Sequence, residues 1–164
     1  MRKGVLVSMV GLGLLILMGC GPQVPEAPLA RTAQQVEDQV CEGVDLWQTL
    51  ANAGDVAGVA ALFAEDAVYV DPYGRVYEGK EAVTGYLEEI LSRYNEFRIG
   101  LSGVVSDGDL AAAHGTWAGT LRESPGAGEL GGLWLTVYRY QSDGSLKAQL
   151  HQVMVPVPTP VPQT

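Results

Sequence analysis

Leu62-Phe63-Ala64-Glu65-Asp66-Ala67-Val68-Tyr69-Val70-Asp71-Pro72-Tyr73-Gly74 is the stretch in which the chain changes from helix to strand. Just before it, Asn52-Ala53-Gly54 closes a long helical pattern, and Asp55 is placed to cap a second, short helix running to about Phe63. Residues 67–71 then alternate and are rich in β-formers, and Pro72-Tyr73-Gly74 has the chemistry of a turn. Just after it, Gly79-Lys80-Glu81 opens a third helix whose buried stripe is Val83, Tyr86, Leu87, Ile90 and Leu91.

Working outward, Leu29, Val36, Val40, Val44, Trp47 and Leu50 recur at helical spacings and mark one face of the long first helix. Toward the C-terminus come four strand-like runs, 97–106, 110–121, 130–140 and 146–155. Their links, Asp107-Gly108-Asp109, residues 124–128 and Ser142-Asp143-Gly144, are rich in turn residues. Helices first and antiparallel strands afterwards make the class α+β, with helices packed on one face of a meander. About 120 folded residues are enough for one core and too few for two domains.

The N-terminus reads as an export signal and not as part of the fold. Arg2 and Lys3 precede an apolar stretch, residues 5–18, that is too short for a membrane span and is broken by Gly11 and Gly13. Leu17-Met18-Gly19-Cys20 resembles the bacterial lipobox, which implies cleavage after residue 19, a lipid on Cys20 and anchoring to the outer side of a bacterial membrane. Residues 20–28, with three prolines, then form a tether, 29–155 the folded domain, and 156–164 a Pro-rich extended tail. Removing residues 1–19 takes away Arg2 and Lys3 and no acidic residue, moving the formal charge from −9 to −11. Such a chain lacks the basic face that nucleic acid requires. Only Cys41 remains after Cys20, so no internal disulfide is available, and on the long helix Cys41 reads as a small core residue.

The run Ala53-Gly54-Asp55, Leu62 through Gly74, and Tyr77-Glu78-Gly79-Lys80-Glu81-Ala82-Val83 resembles the nuclear transport factor 2-like superfamily, in particular its SnoaL-like and ketosteroid isomerase-like branches. The resemblance covers roughly residues 32 to 155. It implies a cystatin-like cone, a curved antiparallel sheet wrapped around about three N-terminal helices. The hollow of such a cone holds a small, mostly apolar molecule, often in a homodimer packed through the outer face of the sheet. Strand alternation groups His114 with Ala112 and Thr116, Trp134 with Thr136 and Tyr138, and Gln149 with His151 and Val153, but does not say which face is the hollow. Laid on the ketosteroid isomerase pattern, all three sets fall on the pocket side, joined by Trp47, Phe63, Asp71 and Tyr86 from the helical half.

By the same resemblance Asp71 matches the general-base aspartate. At an apolar wall its pKa would rise and it could shuttle a proton. The plainer reading has Asp71 starting the turn before Pro72 and facing water. The family's oxyanion donors are replaced by Trp47 and Thr136, which argues against steroid isomerisation. His114 and His151, the only two histidines, could act as donors or as acid and base. No cofactor is expected: the sequence has no phosphate-cradling loop and no zinc-ligand spacing. The expectation is a lipid-anchored, pocketed domain that binds a small hydrophobic molecule and acts on it by isomerase- or cyclase-type proton transfer. The alternative is a non-catalytic binding or homodimeric assembly module at the cell surface.

Overall fold

The computed structural model describes residues 31–123 and 129–156. The signal, Cys20, the tether, the 124–128 link and the tail beyond residue 156 lie outside the described residues. Helix α1 spans Ala33–Ala53 and starts in a capping box: the Thr32 hydroxyl accepts from the Gln35 N–H, and the Gln35 side chain accepts from the Thr32 N–H. Gly54 ends it at φ 72°, a left-handed conformation that glycine adopts without strain. The Asp55 carboxylate accepts from the Gly58 N–H at 2.8 Å and caps α2, Val56–Ala61.

Strand β1, Phe63–Val70, begins four residues earlier than the alternation at 67–71 suggests. Its exposed Glu65 and Asp66 interrupt the apolar pattern where the register with its neighbour shifts. A three-residue edge strand, β2 at Val76–Glu78, was not legible at all. Helix α3, Lys80–Arg93, buries Val83, Tyr86, Leu87 and Leu91 as expected and passes without a loop into β3, Tyr94–Asp107. Strands β4 (Leu110–Leu121), β5 (Glu129–Tyr140) and β6 (Leu146–Met154) follow the sequence pattern closely.

The six strands form one curved, unclosed sheet in the order β2-β1-β6-β5-β4-β3. All pairings are antiparallel except β1 with β6, which brings the last strand back beside the first. Helices come first and the sheet wraps them, the α+β cone the sequence implied. One buried cluster joins α2, α3 and β1 through Val59, Ala60, Phe63, Tyr69, Val83 and Leu87. A second joins α1 to β4 and β5 through Val36, Val40, Val44, Trp117 and Trp134. Tyr94, Ile99, Tyr138 and Val153 pack against both. Cys41 is exposed on α1 and is not a core residue, because the α1 core stripe runs through Val36, Val40 and Val44. Among the described residues no helix is long and apolar enough to cross a membrane.

Two glycine–tryptophan pairs shape the inner face of the sheet. Gly115 lies opposite Trp134, and Gly132 opposite Trp117. A Cβ on Gly115 would sit 2.8 Å from the Trp134 ring, and one on Gly132 would sit 3.0 Å from Trp117 Nε1. The missing side chains let each indole lie across the neighbouring strand, Trp134 Nε1 donating to Thr116 O (3.0 Å) and Trp117 Nε1 to Met154 O (3.3 Å).

Candidate functional site

Between the two clusters the helices and the sheet line a half-open hollow of about 130 Å³. Of the residues expected to line it, Trp47, Phe63, Tyr86, Trp134, Thr136, Tyr138 and His151 do so. Tyr69, Trp117, Tyr94 and Phe97 line it as well and were missed. The signal for Tyr69 was present, since it shares the parity of Asp71 on a strand already assigned.

The polar centre of the hollow is set by register. Tyr69 on β1 lies opposite His151 on β6, and His151 lies opposite Thr136 on β5, so the three side chains form one row across the inner face. Thr136 Oγ1 and His151 Nδ1 are hydrogen-bonded at 2.6 Å. The His151 ring packs against Tyr69 (4.8 Å between centroids), edge-on to Phe63 (6.1 Å) and parallel to Trp134 (6.4 Å). Among the described residues nothing pairs with His151 Nε2. Burial holds the imidazole neutral, pushing its pKa down to about 4. In that neutral ring the nitrogens take opposite roles: when Thr136 accepts from Nδ1–H, Nε2 presents a lone pair, and when Thr136 donates, Nε2 carries the proton. Burial pushes the phenols of Tyr69, Tyr86 and Tyr138 up, with Thr136 partly offsetting the effect on Tyr138. Trp47 Nε1 is buried without a hydrogen-bond partner.

Asp71 is 2% exposed and starts the turn, but it faces neither water nor the hollow, which Pro72 lines instead. Its carboxylate accepts from the N–H groups of Tyr73 (2.8 Å) and Arg75 (2.9 Å) and pairs with the Arg75 guanidinium at 2.5 Å. Burial alone would raise its pKa. The Arg75 N–H, the Arg75 guanidinium and the Tyr73 N–H outweigh that and hold the carboxyl below its ordinary value. It is a committed anion that fixes a turn.

His114 and Thr116 are displaced from their expected place. On β4 the buried residues are Ala111, Ala113, Gly115, Trp117 and Gly119, so Ala112, His114 and Thr116 face outward. His114 lies opposite Leu135 and Thr116 opposite Leu133, both exposed on the outer face. Gln149 also leaves the hollow. The pairing jumps from Tyr138↔Ala148 to Val137↔Leu150, leaving Gln149 as the extra residue of a bulge, and its amide donates to Asp66 O at 3.3 Å. Among the described residues no group of three or more His, Cys, Asp or Glu side chains converges to hold a metal ion.

The profile of the SnoaL-like domain family matches residues 44–148. Among solved structures, the chain is similar to a ketosteroid isomerase-like protein from Erwinia carotovora atroseptica SCRI1043, at 16% identity and a TM-score of 0.66 over 74% of this chain and 96% of that one. It is similar to a nuclear transport factor 2-like superfamily protein from Salmonella enterica serovar Typhimurium LT2, at 14% identity and a TM-score of 0.68 over 81% and 99%. A third, a protein of unknown function with a cystatin-like fold from Nostoc punctiforme, gives 19% identity and a TM-score of 0.63 over 80% and 98%. At these identities the likeness is one of fold. No curated protein matches the chain.

Proposed function

The chain belongs to the SnoaL-like domain family, and from that premise we propose that its hollow takes a small, mostly apolar molecule and that His151 moves a proton on it. The observation that carries this reading is the state of His151: neutral, oriented through Nδ1 by Thr136, and with Nε2 unpaired among aromatic walls. Of the three candidates for proton transfer, His114 is on the outer face and Asp71 is bound to Arg75. A base with a pKa of about 4 is serviceable, since carboxylate bases of roughly 4 to 5 abstract protons next to carbonyls. Nε2 takes the α-proton of a bound ketone, the C–H electron pair becomes the enolate, the Nε2 proton exchanges with solvent, and Nε2 delivers a solvent-derived proton (a deuteron in D₂O) back to carbon.

The test is α-hydrogen exchange of cyclohexanone in D₂O, followed by proton NMR with the full chain and with His151→Gln. Wild type is expected to exchange faster than buffer, and His151→Gln to lose about 10²-fold of that enhancement. Enhancement that survives in His151→Gln, or that vanishes in a folded Asp71→Asn protein, sinks the assignment.

The alternative, a homodimeric assembly role, is supported by the outer face of the sheet. Val105 (71% exposed), Leu133 (54%) and Leu135 sit there with His114 and Thr116 between them. The dimer and the hollow occupy opposite faces and are compatible. Export and a lipid on Cys20 complete the proposal and rest on residues 2–20 alone.

A further inference from the structure

Resting on that reading, we infer that the hollow selects neutral, single-ring molecules carrying one oxygen function, and rejects both ions and polycyclic ligands. Size is the first reason. An engineered cavity of about 150 Å³ accommodates benzene, and this hollow is about 130 Å³. A steroid nucleus has roughly three times as many carbons as that one ring and would have to extend through the open side of the hollow into water.

Charge is the second reason. Among the described residues that line the hollow there is no Lys, Arg, Asp or Glu. An anion would meet apolar and aromatic walls with no cation to pair with. A cation would find no free carboxylate, because Asp71 is already bonded to Arg75. Nor do the rings form an open cage for an ammonium group. Tyr77 stacks on Tyr86 at 4.3 Å, Tyr69 meets Tyr86 edge-on at 4.9 Å, and one face of Trp134 is turned to His151. An ion entering this hollow gives up its hydration without compensation.

The polar groups that line it are all neutral; beside the Gln39 amide and the Tyr69, Tyr86 and Tyr94 phenols, the His151 imidazole, the Thr136 hydroxyl and the Tyr138 phenol lie close in register on the sheet. The sheet trio, with His151 and Thr136 already bonded to each other, can satisfy one or two oxygen lone pairs or one hydroxyl of a bound ring. Aromatic walls around a short row of neutral hydrogen-bonding groups suit an uncharged cyclic ketone or phenol.

The experiment is a tryptophan-fluorescence titration of the full chain at neutral pH with four probes: acetophenone, benzoate, benzyltrimethylammonium and progesterone. Acetophenone is expected to saturate the signal, with benzoate and benzyltrimethylammonium each at least about 100-fold weaker and progesterone giving no saturable change. Equal or tighter binding of either ion, or of progesterone, overturns the inference and leaves the proposed proton transfer standing. Binding of none of the four overturns it as well, and when cyclohexanone exchange is also absent, the proposed function falls with it. Replacing Thr136 by Val keeps the shape and removes one hydroxyl. It should weaken acetophenone about tenfold while leaving its advantage over benzoate, and a variant that instead equalises the two probes also refutes the selection argument.

Discussion

Lowering the pH from about 7.5 to about 5 tests the neutral setting of His151 directly. Its pKa falls from an ordinary 6.5 to about 4 on folding, because burial disfavours the imidazolium. The unfolded chain therefore binds a proton that the folded chain refuses, so stability rises with pH across this window and is fully present above about 6.5. At about 1.4 kcal/mol per pKa unit the full effect is about 3.5 kcal/mol, with about 2 kcal/mol of it already lost at pH 5. Asp71 and Asp143 do not contribute here. Their pKa values are lowered from 3.8, so their stabilisation is present above that value and is lost only as the pH falls below it. The assay is urea unfolding of the full chain and of His151→Gln, which keeps a polar partner for Thr136 and does not titrate. Between the two pH values the wild-type midpoint should fall by roughly 1 M more than that of the variant. Parallel shifts would mean that His151 titrates near its ordinary value in the folded chain, and its assignment as a neutral base would be refuted.

The remaining predictions concern the turn, the outer face and the N-terminus. Asp71→Asn should lose about 1–2 kcal/mol at neutral pH, from the broken pairing with Arg75 and weaker acceptance from two N–H groups, and should flatten the acid limb of stability below about pH 4; chemical denaturation reads both. Leu133→Glu, placed where an exposed leucine faces Thr116 across the strands, should leave thermal stability within about 0.5 kcal/mol of wild type and convert any dimer to monomer in sedimentation; an unchanged dimer would move the interface elsewhere. Cys20→Ala should abolish incorporation of labelled palmitate in a bacterial host and release the chain from membranes; undiminished labelling would refute the lipobox reading.

Much of the fold was legible because its elements carry long periods. The stripes of α1 and α3 extend over several turns, and the turns between β3 and β4 and between β5 and β6 carry glycines, Gly108 and Gly144, at positive φ. What escaped was short or irregular. Edge strand β2 has three residues, and the first half of β1 is hidden by Glu65-Asp66, polar residues that fit a strand only because the register slips there. The site was half legible for a related reason. Alternation assigns neighbours to a face correctly, as it did for Trp134, Thr136 and Tyr138, but the choice of face needs an anchor. On β4 the inward residues are mostly Ala and Gly, whose smallness makes room for the indoles of the next strand, so the one large inward side chain, Trp117, was the informative residue. Gln149 failed through a bulge, which shifts parity without any mark in composition.

Asp71 illustrates how one residue outside a motif can reverse the chemistry the motif implies. Asp-Pro-aromatic-Gly puts a carboxylate at the end of a strand beside the hollow, and an unpaired carboxylate buried there would hold its proton more tightly and serve as a base. Arg75, at the fourth position after Asp71, supplies both a backbone N–H and a guanidinium, and Tyr73 supplies another N–H, so the same burial now encloses a satisfied ion pair. A carboxylate with three donors is a weak base, and withdrawing it from them would leave Arg75 without its partner. Its pairing also leaves the apolar hollow free of charge, the condition under which His151 remains neutral with one nitrogen unpaired. The clamp at Asp71 and the imidazole at His151 are thus two halves of one arrangement. The strand that would have carried the base now fixes the wall, and the strand beside it, joined in parallel register through Tyr69 and His151, carries the group able to exchange a proton.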